Sequence, residues 1–235
     1  MKYKRVVLKI SGETFSGKHK FGFLSEAIQH VAEEIKLVSQ KCELAIVVGG
    51  GNIFRGSREG KALNLKRNVA DYAGMQATTI NGLILCDFLE NQGIETRLMS
   101  ALRNEQVAET YIWKRAVRHL EKGRVVVLAG GTGNPSVTTD MAMVIRAIEL
   151  NAEVALKGTK VDGVFDKDPE KHPDAVLLTS VTRNEFSRLK LKILDPAAVS
   201  HAEENKIEIC VFNIFEPKGN LKKAIAGESI GSLII

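Results

Sequence analysis

Short apolar runs alternate along the chain with longer segments in which apolar residues recur every three or four positions. Short runs rich in β-branched residues are typical of strands that are buried on both faces of a parallel sheet. The longer segments have the period of amphipathic helices. Strands are therefore predicted at Arg5–Ile10, 44–48, 95–99, 124–129, 153–156, 207–212 and 232–235, and helices at 25–40, 68–92, 113–120, 141–150, 182–189 and 195–205.

Because strands and helices alternate throughout, the pattern predicts an α/β fold in three layers (α/β/α), with helices on both faces of a mainly parallel central sheet. Neither a low-complexity linker nor an internal repeat divides the 235 residues. We expect a single domain spanning residues 1–235, with an N-terminal lobe at about 1–150 and a C-terminal lobe at about 151–235. Ser25 is expected to cap the first helix, after a polar loop at residues 11–23.

Composition narrows the class of protein without specifying a reaction. Hydrophobic residues make up 44% of the chain and charged residues 26%, which is typical of a soluble globular protein. The net charge of +5 comes from scattered lysines and arginines rather than from one basic stripe. Such a surplus favours small anionic substrates, and no nucleic acid is required as a partner.

Three cysteines, Cys42, Cys86 and Cys210, lie far apart and form no C-x-x-C pair. This spacing predicts free thiols in a reducing compartment, rather than disulfides or a zinc site. The first residues lack the apolar core of a leader peptide, and no apolar run reaches the length of a membrane span. We expect a cytoplasmic protein without a membrane partner.

Polar or glycine-rich loops follow the predicted strands that end near residues 10, 48, 129 and 157. In open α/β sheets ligands bind beyond the carboxyl ends of the strands, so these loops are expected to share one crevice. The loop at residues 130–140 carries three glycines and four hydroxyl residues before a helix, and such a junction favours an anion. Taken alone, this loop could equally be an ordinary strand–helix turn with a good N-cap.

Residues 12–18 fit the pattern G-x-x-x-x-G-K of a phosphate-binding P-loop. That motif requires Ser or Thr next, because the hydroxyl binds Mg²⁺, but His19 stands there and the loop does not open directly into a helix. Lys9 is the better candidate for a phosphate contact. It ends a strand, and the backbone of Ser11 and Gly12 can approach a ligand closely.

Five segments in chain order carry a resemblance to a known family. They are Lys-Ile-Ser-Gly-Glu at 9–13, Gly-Gly-Gly-Asn-Ile-Phe-Arg-Gly at 49–56, Asp-Tyr-Ala-Gly-Met-Gln-Ala-Thr at 71–78, Gly-Thr-Gly-Asn-Pro-Ser-Val-Thr-Thr-Asp at 131–140 and Lys-Gly-Thr-Lys-Val-Asp-Gly-Val-Phe-Asp-Lys-Asp-Pro at 157–169. Together they resemble the bacterial uridylate kinases of the amino acid kinase fold family, over essentially the whole chain.

The resemblance implies transfer of the γ-phosphoryl group of ATP to UMP, giving UDP and ADP in pyrimidine nucleotide synthesis. The N-terminal lobe would bind UMP and the C-terminal lobe ATP. By motif, the catalytic residues would be Lys9, Arg55, Asp140 and Lys157; the ATP-binding residues Lys9, Ile10, Ser11, Gly12, Gly51, Arg55, Thr159, Phe165 and Asp168; and the UMP-binding residues Gly50, Asp71, Thr132, Gly133, Asn134, Pro135, Ser136, Val137, Thr138 and Thr139.

The resemblance also implies Mg²⁺ bound with ATP, although the sequence does not identify a protein ligand for the metal. It implies a homo-oligomer of hexamer type, with GTP and UTP as effectors and with Gly22 and Phe23 in the GTP-responsive segment. Two alternatives stay open. One is a relative that phosphorylates a carboxylate or carbamate, and the other is a non-catalytic nucleotide-sensing or anion-storage protein of the same fold.

The residue types suit phosphoryl transfer to a phosphate, which needs no strong general base because the acceptor is already anionic at pH 7. Lys9 can act as a mobile point charge, and Arg55 can fork onto two phosphate oxygens. Asp140 is expected to orient Lys9 and Lys157, or else only to pair with a helix dipole. Asp71 accepts from ribose hydroxyls or faces solvent. Phe165, likewise, packs on adenine or lies in the core.

Overall fold

The computed structural model describes residues 1–169, 171–189, 191 and 193–235. Its strands are β1 Arg5–Ile10, β2 Glu43–Val48, β3 Thr96–Ser100, β4 Glu109–Thr110, β5 Val125–Ala129, β6 Val154–Thr159, β7 Val164–Phe165, β8 Leu177–Leu178, β9 Ser180–Val181, β10 Glu208–Asn213 and β11 Ser232–Ile234. Nine of these described strands form one sheet in the order β4-β3-β5-β2-β1-β6-β10-β11-β9, and β7 pairs with β8 in a separate hairpin. Neighbours in the large sheet are parallel except β10 and β11.

Helices connect most of the strands and cover both faces of the sheet. They are α1 Gly12–Ser16, α2 Ser25–Lys36, α3 Arg67–Glu90, α4 Trp113–Glu121, α5 Thr139–Glu149, α6 Arg183–Arg188, α7 Pro196–Glu204 and α8 Asn220–Ala226, with a π-helical turn at Gly56–Gly60. Among the described helices, none combines the length and the apolar character needed to cross a membrane.

Alternate residues of the central strands enter two separate cores, one on each face of the sheet. In β1, Leu8 and Ile10 belong to the core beneath α2, α3 and α8, whereas Val7 belongs to the core beneath α4, α5 and α7. A strand that is buried on both faces is apolar at nearly every position, which explains the continuous apolar runs in the sequence. The predicted three-layer α/β/α fold with a mainly parallel sheet is confirmed.

Local structure differs from the expectation between the first strand and the second helix. Part of the expected loop is α1, which begins immediately after β1. Ser25 is not the cap of α2: Leu24 occupies the N-cap position and makes no side-chain cap. The N–H of Leu24 donates to the carbonyl of Phe15 at 2.8 Å, so a contact with α1 holds this residue extended where a serine cap was expected.

A buried carboxylate joins α2 to the end of the chain. Glu34 is fully buried, and its two oxygens accept hydrogen bonds from the N–H groups of Gly219 at 2.6 Å and Leu221 at 3.1 Å. These are the first N–H groups of α8, whose N-cap glycine has no side chain to satisfy them. Glu34 therefore supplies the cap of α8 from another helix.

Glu34→Ala should lower the free energy of unfolding by about 2–3 kcal/mol, because the partly buried N–H of Gly219 and the buried N–H of Leu221 lose a charged acceptor. Urea unfolding followed by circular dichroism measures this loss. Glu33→Ala is the matched control, since it removes only exposed contacts, an ion pair with Lys218 and a hydrogen bond from Gln29, and should change stability little. Equal effects of the two substitutions would contradict the assignment of Glu34 as the cap.

Candidate active site

The carboxyl ends of β5, β2, β1 and β6 lie side by side, because these four strands are adjacent and parallel. The loops after β1, β2 and β5, together with one side of α3, enclose a cavity of about 430 Å³. The segment after β6 instead lines a second cavity of about 410 Å³, beside the β7–β8 hairpin. The sheet edge thus carries two cavities where the sequence predicted one crevice.

Two lysines and one aspartate form a buried cluster at this edge. Lys9 and Lys157 are direct partners in the parallel register of β1 and β6, so their side chains project from the same face of the sheet. Asp140, near the start of α5, places Oδ1 3.1 Å from Lys9 Nζ and Oδ2 2.8 Å from Lys157 Nζ. Lys157 also donates to the carbonyl of Ile193 at 2.5 Å. One carboxylate therefore holds both ammonium groups.

The charges of this cluster shift the pKa values of Asp140 and Lys157. Burial alone would raise the pKa of the Asp140 carboxyl, but the ammonium groups of Lys9 and Lys157 outweigh burial and lower it. Burial lowers the pKa of Lys157 to about 8; the charge of Lys9 adds to that shift and Asp140 opposes it. Asp140 is therefore ionised at neutral pH, and Lys157 releases its proton in mildly alkaline solution.

The turn after β2 approaches the start of α1 so closely that only glycine fits. A Cβ on Gly12 would lie 2.4 Å from the backbone nitrogen of Gly51 and 2.5 Å from Asn52 Oδ1. The N–H of Gly49 donates to the carbonyl of Ile10 at 2.8 Å, which joins the ends of the two strands. Backbone N–H groups gathered at such a turn are suited to an anion.

Two buried polar side chains of α3 anchor the turns that follow β2 and β5. Asn81 donates to the carbonyl of Gly49 at 2.6 Å and exchanges hydrogen bonds with the side-chain amide of Asn52. The hydroxyl of Thr78 accepts a hydrogen bond of 2.7 Å from the N–H of Gly130. One helix thus fixes both glycine-rich turns.

Arg55 lines the first cavity from the segment before the π-helical turn. Its guanidinium forms an ion pair with Glu13 and donates from Nε to the carbonyl of Gly51 at 3.3 Å. The side chain is 42% exposed, so the ion pair with Glu13 is solvated and can exchange for an anionic ligand at little cost.

Two aspartates hold the loop after β5 in place. Ser136, with a φ of +65°, donates from its backbone N–H to Asp71 Oδ2 at 2.8 Å. Thr138 donates from its hydroxyl to Asp195 Oδ2 at 2.6 Å, and its hydroxyl also caps α5 by accepting from the N–H of Met141. Asp71 is thus more than a solvent-facing carboxylate, because it fixes the loop while lining the first cavity.

The second cavity places an aromatic ring at its wall. Phe165 is half-buried and lines this cavity together with Asp168 and Ile193, so the ring is not part of the core. The carbonyl of Ile193 also accepts the hydrogen bond from Lys157. The Lys9–Asp140–Lys157 cluster therefore connects a residue on the wall of one cavity with a residue on the wall of the other.

Most of the binding residues predicted from the motifs line one of the two cavities. The first is lined by Lys9, Ser11, Gly12, Gly50, Gly51, Arg55, Asp71, Asn134, Val137, Thr138 and Thr139, and the second by Phe165 and Asp168. Asp140 and Lys157 line neither but meet Lys9 in the buried cluster. Ile10, Thr132, Gly133, Pro135, Ser136 and Thr159 also line neither cavity.

Thr159 and the segment at Gly22 and Phe23 line neither cavity. Thr159 donates its hydroxyl to the carbonyl of Val161 at 2.6 Å, which closes the turn after β6. Gly22 and Phe23 follow α1, where the N–H and the carbonyl of Gly22 are hydrogen-bonded to Asn52. This contact links the Gly22 segment to the residue directly after Gly51.

Asp195 is a site residue that sequence reasoning missed. Its backbone N–H donates to Asp140 Oδ2 at 3.3 Å, its carboxylate accepts from Thr138, and it caps α7. Asp followed by Pro196 is a clear N-cap signal, because proline fits the first helical position. Nothing in that signal indicates the neighbourhood of Asp140.

The geometry separates the two candidate phosphate lysines. Residues 12–16 of the P-loop pattern are helical, and Lys18 is exposed and does not line the cavity that Lys9 lines. The P-loop interpretation therefore has no support in the fold, whereas Lys9 lies at the carboxyl edge of the sheet.

This sheet, with its glycine-rich turns and its buried lysine–aspartate cluster, matches one family of kinases. The sequence model of the amino acid kinase family matches residues 4–213, and the chain belongs to this family.

Solved structures make the likeness more specific. The chain is similar to the UMP kinase from Bacillus anthracis, with 38% identity, a TM-score of 0.94 and coverage of 100% of this chain and 96% of that one. It is similar to the UMP kinase from Ureaplasma parvum, with 34% identity, a TM-score of 0.91 and coverage of 100% and 99%. The uridylate kinase from Archaeoglobus fulgidus has 28% identity, a TM-score of 0.76 and coverage of 98% and 100%. The resemblance carried by the five motifs is confirmed.

Gly12→Ala should lower the kinase activity at least about tenfold, because the new Cβ displaces the Gly51 backbone from the cavity wall. Gly93→Ala is the control: its φ is +80° and no heavy atom lies within 4 Å of the added Cβ. That substitution should cost about 1–2 kcal/mol of stability through its left-handed backbone and leave the rate unchanged. A rate assay paired with thermal unfolding tests both expectations; loss of activity in both variants would contradict the steric argument.

The value of kcat/KM should fall as pH rises through about 8, because Lys157 then loses the charge that helps to attract an anionic substrate. Bound anions favour the charged form, so the alkaline limb of kcat should lie at higher pH than that of kcat/KM. Stability should respond with the opposite sign. The folded pKa lies below the unfolded value, so the contribution of Lys157 to the free energy of unfolding rises between about pH 8 and 10.5.

The pH profiles of kcat/KM, kcat and the free energy of unfolding are measured on the unmodified chain and on Lys157→Met. The substitution should remove the limb near pH 8 from the kcat/KM profile. If the limb persists in Lys157→Met, another group causes it.

Proposed function

We propose that this chain is a UMP kinase, which transfers the γ-phosphoryl group of ATP to UMP and releases UDP and ADP. The observation that carries the proposal is the Lys9–Asp140–Lys157 cluster, placed between a cavity with an aromatic wall and a cavity bounded by a hydroxyl-rich loop. UMP kinases of 34–38% identity that align over the whole chain support this reading. The product is a pyrimidine nucleoside diphosphate, so we assign the reaction to pyrimidine nucleotide synthesis.

In this proposal ATP occupies the C-terminal lobe, at about residues 151–235, and extends its phosphates to the first cavity. The half-buried ring of Phe165 offers a face for adenine, and Asp168 lies on the same wall. The phosphates then reach the N–H groups near Gly12 and Gly51, which the close packing of the two turns brings together. Ile10 and Thr159 line neither cavity and contribute through turns: the carbonyl of Ile10 accepts from the N–H of Gly49, and the hydroxyl of Thr159 closes the turn after β6.

UMP occupies the N-terminal lobe, at about residues 1–150, against Gly50, Asp71 and the loop at residues 132–139. The carboxylate of Asp71 holds the loop at Ser136 and retains lone pairs that can accept from ribose hydroxyls. The loop ends in the hydroxyls of Thr138 and Thr139 at the N-terminus of α5, where an anion is favoured.

The reaction needs alignment and charge neutralisation more than proton transfer. An oxygen of the acceptor phosphate attacks the γ-phosphorus, the bond from that phosphorus to the bridging oxygen breaks, and ADP leaves with the electron pair. Lys9, held by Asp140, neutralises charge on the moving group, and Lys157 supports Asp140 from the other side. Arg55 exchanges Glu13 for phosphate oxygens, which its planar fork can bind in pairs.

Mg²⁺ enters this scheme as part of the substrate, complexed with ATP. Among the described residues no group of three or more His, Cys, Asp or Glu side chains could hold a metal ion. Asp140 already faces two ammonium groups, which disfavours a cation beside it. Phosphate oxygens and water therefore supply most of the ligands in this proposal.

We also propose that the chain forms a homo-oligomer of hexamer type. Support comes from α3, where Val69, Tyr72 and Ile80 are each more than two-fifths exposed. Exposed apolar residues on one long helix are suited to contact between copies of a chain.

GTP and UTP are proposed as effectors, with Gly22 and Phe23 in the GTP-responsive segment. The hydrogen bonds between Gly22 and Asn52 support this proposal, because Asn52 directly follows the phosphate turn at Gly51. A displacement of the Gly22 segment would therefore also move the turn at Gly51.

A cytoplasmic location is proposed from the thiols. Cys42, Cys86 and Cys210 are free, and burial raises their pKa values to about 11, 12 and 12. Such thiols are largely protonated at neutral pH and suit a reducing compartment.

A coupled assay of ADP release, with ATP and a panel of UMP, CMP, AMP and small carboxylates, tests the proposed reaction. We expect turnover with UMP in clear preference to the rest. Preference for a carboxylate would favour the carboxylate kinase alternative, and nucleotide binding without turnover would favour a sensing or storage protein. Either result would overturn the proposal.

Lys9→Ala should reduce the rate by about 10²–10³-fold, because the transferred group loses its main positive partner. Lys18→Ala is the matched control, since this exposed lysine lies outside the cavity, and it should leave the rate within about twofold of the unmodified chain. The same coupled assay measures both. The reverse outcome would restore the P-loop interpretation.

A further inference from the structure

A second buried charge lies on α5, outside the Lys9–Asp140–Lys157 cluster. Arg146 is 5% exposed and lines neither of the two cavities. Its Nη1 donates to Glu149 Oε2 at 2.6 Å, and its Nη2 donates to the carbonyl of Gly131 at 2.9 Å. Its guanidinium carbon lies 3.9 Å from the ring centroid of Tyr111. The scheme of phosphoryl transfer gives this arginine no task.

Three contacts in different directions fix the guanidinium. The hydroxyl of Tyr111 donates to the same Glu149 oxygen at 2.6 Å. The side chains of Tyr111, Glu149 and Arg146 therefore each contact the other two. Burial is the main cause that raises the pKa of Tyr111, and the hydrogen bond to Glu149 is the second. The hydroxyl therefore stays protonated and can donate. A planar guanidinium can stack on a ring and donate along two edges at once, whereas a lysine ammonium cannot.

The carbonyl that Arg146 holds belongs to the first cavity. Gly131 lines that cavity and has a φ of +56°, and its neighbours Gly130 and Gly133 have φ values of +74° and +81°. Glycines in this region have little conformational preference of their own, so contacts from outside must fix the loop. In a trans peptide the carbonyl and the next N–H point in opposite directions. Arg146 therefore also sets the direction of the Thr132 N–H.

The loop is thus held from two helices at consecutive residues. Thr78 of α3 accepts from the N–H of Gly130, and Arg146 of α5 donates to the carbonyl of Gly131. Together these two contacts fix the peptide planes that lead into the segment at residues 132–139. A contact of this kind acts on the acceptor through the backbone, without touching it.

We propose that Arg146, oriented by Tyr111 and Glu149, is a positioning residue that orders the loop at residues 130–139 for UMP by fixing the carbonyl of Gly131. The proposal rests on the proposed UMP kinase activity for its kinetic consequence. Its structural consequence, an ordered loop at residues 130–139, is independent of any reaction.

Arg146→Lys keeps the charge but loses the two-edged fork, and it should raise the KM for UMP about tenfold while the KM for ATP stays within twofold. Tyr111→Phe, which frees Glu149 from one donor, should shift the KM for UMP in the same direction by a smaller factor. Arg183→Lys is the matched control, because it alters an arginine–glutamate pair with Glu203 that borders neither cavity. It should change neither KM.

Hydrogen–deuterium exchange of the unliganded protein gives a readout that does not require turnover. Backbone amides in residues 130–139 should exchange faster in Arg146→Lys and in Tyr111→Phe, and should be unchanged in Arg183→Lys. If Arg146→Lys does not fold, Tyr111→Phe and Glu149→Gln carry the same test.

The outcomes separate the two proposals. Unchanged exchange in the loop, or equal increases in KM for both substrates, would overturn the role of Arg146 and reduce it to packing between α5 and Tyr111. Faster exchange in Arg146→Lys, together with no UMP turnover by the unmodified chain, would support the loop contact while refuting the proposed reaction.

Discussion

Repulsion between two neighbouring ammonium groups is the constraint on which the site depends. The parallel register of β1 and β6 makes Lys9 and Lys157 direct partners, and both are buried. Two buried cations at this spacing are tolerable only with an anion between them, since charge burial without pairing is costly. Asp140 supplies that anion, and in doing so it fixes the start of α5 against the sheet.

Once α5 is fixed, it holds both ends of the loop that precedes it. Thr138 caps the helix at one end of the loop, and Arg146 reaches back to the other end at Gly131. Asp195 bonds both to the Asp140 carboxylate and to Thr138, so the start of α7 is drawn to the same point. A single helix therefore connects the charge cluster to both ends of the loop proposed to bind the acceptor.

Sequence patterns predicted the elements whose stability is local. The long helix expected at residues 68–92 is α3, Arg67–Glu90, because its composition favours a helix, although Val69, Tyr72 and Leu83 on its expected apolar face are exposed. The strand expected to end at residue 156 continues to Thr159, because Gly158 is paired on both sides despite its poor intrinsic preference for a strand. Two-residue strands such as β7 and β9 were not predictable, since they exist only through their partners.

The candidate site divides in the same way. Lys9 and Asp140 stand in short segments that resemble a known family, so both could be predicted as candidates from the sequence, and the structure brings their side chains together. Asp195 and Arg146 act through contacts that span 55 and 15 residues of chain, and their local sequence indicates only a helix cap and a helical arginine. Which carbonyl or carboxylate such a residue meets depends on the packing of whole elements.

Two side chains of α3 fix the distance between the glycine-rich turns that follow β2 and β5. Thr78 and Asn81 are three residues apart, a rise of about 4.5 Å along a helix axis, and each holds one of the two glycine-rich turns. The helical rise between Thr78 and Asn81 therefore constrains the spacing between the turn assigned to the donor and the loop assigned to the acceptor. Inserting one residue between the anchors would rotate one of them by about 100° and release its turn. In the proposed reaction, the gap between donor and acceptor would then depend on the length of α3 between these two anchors.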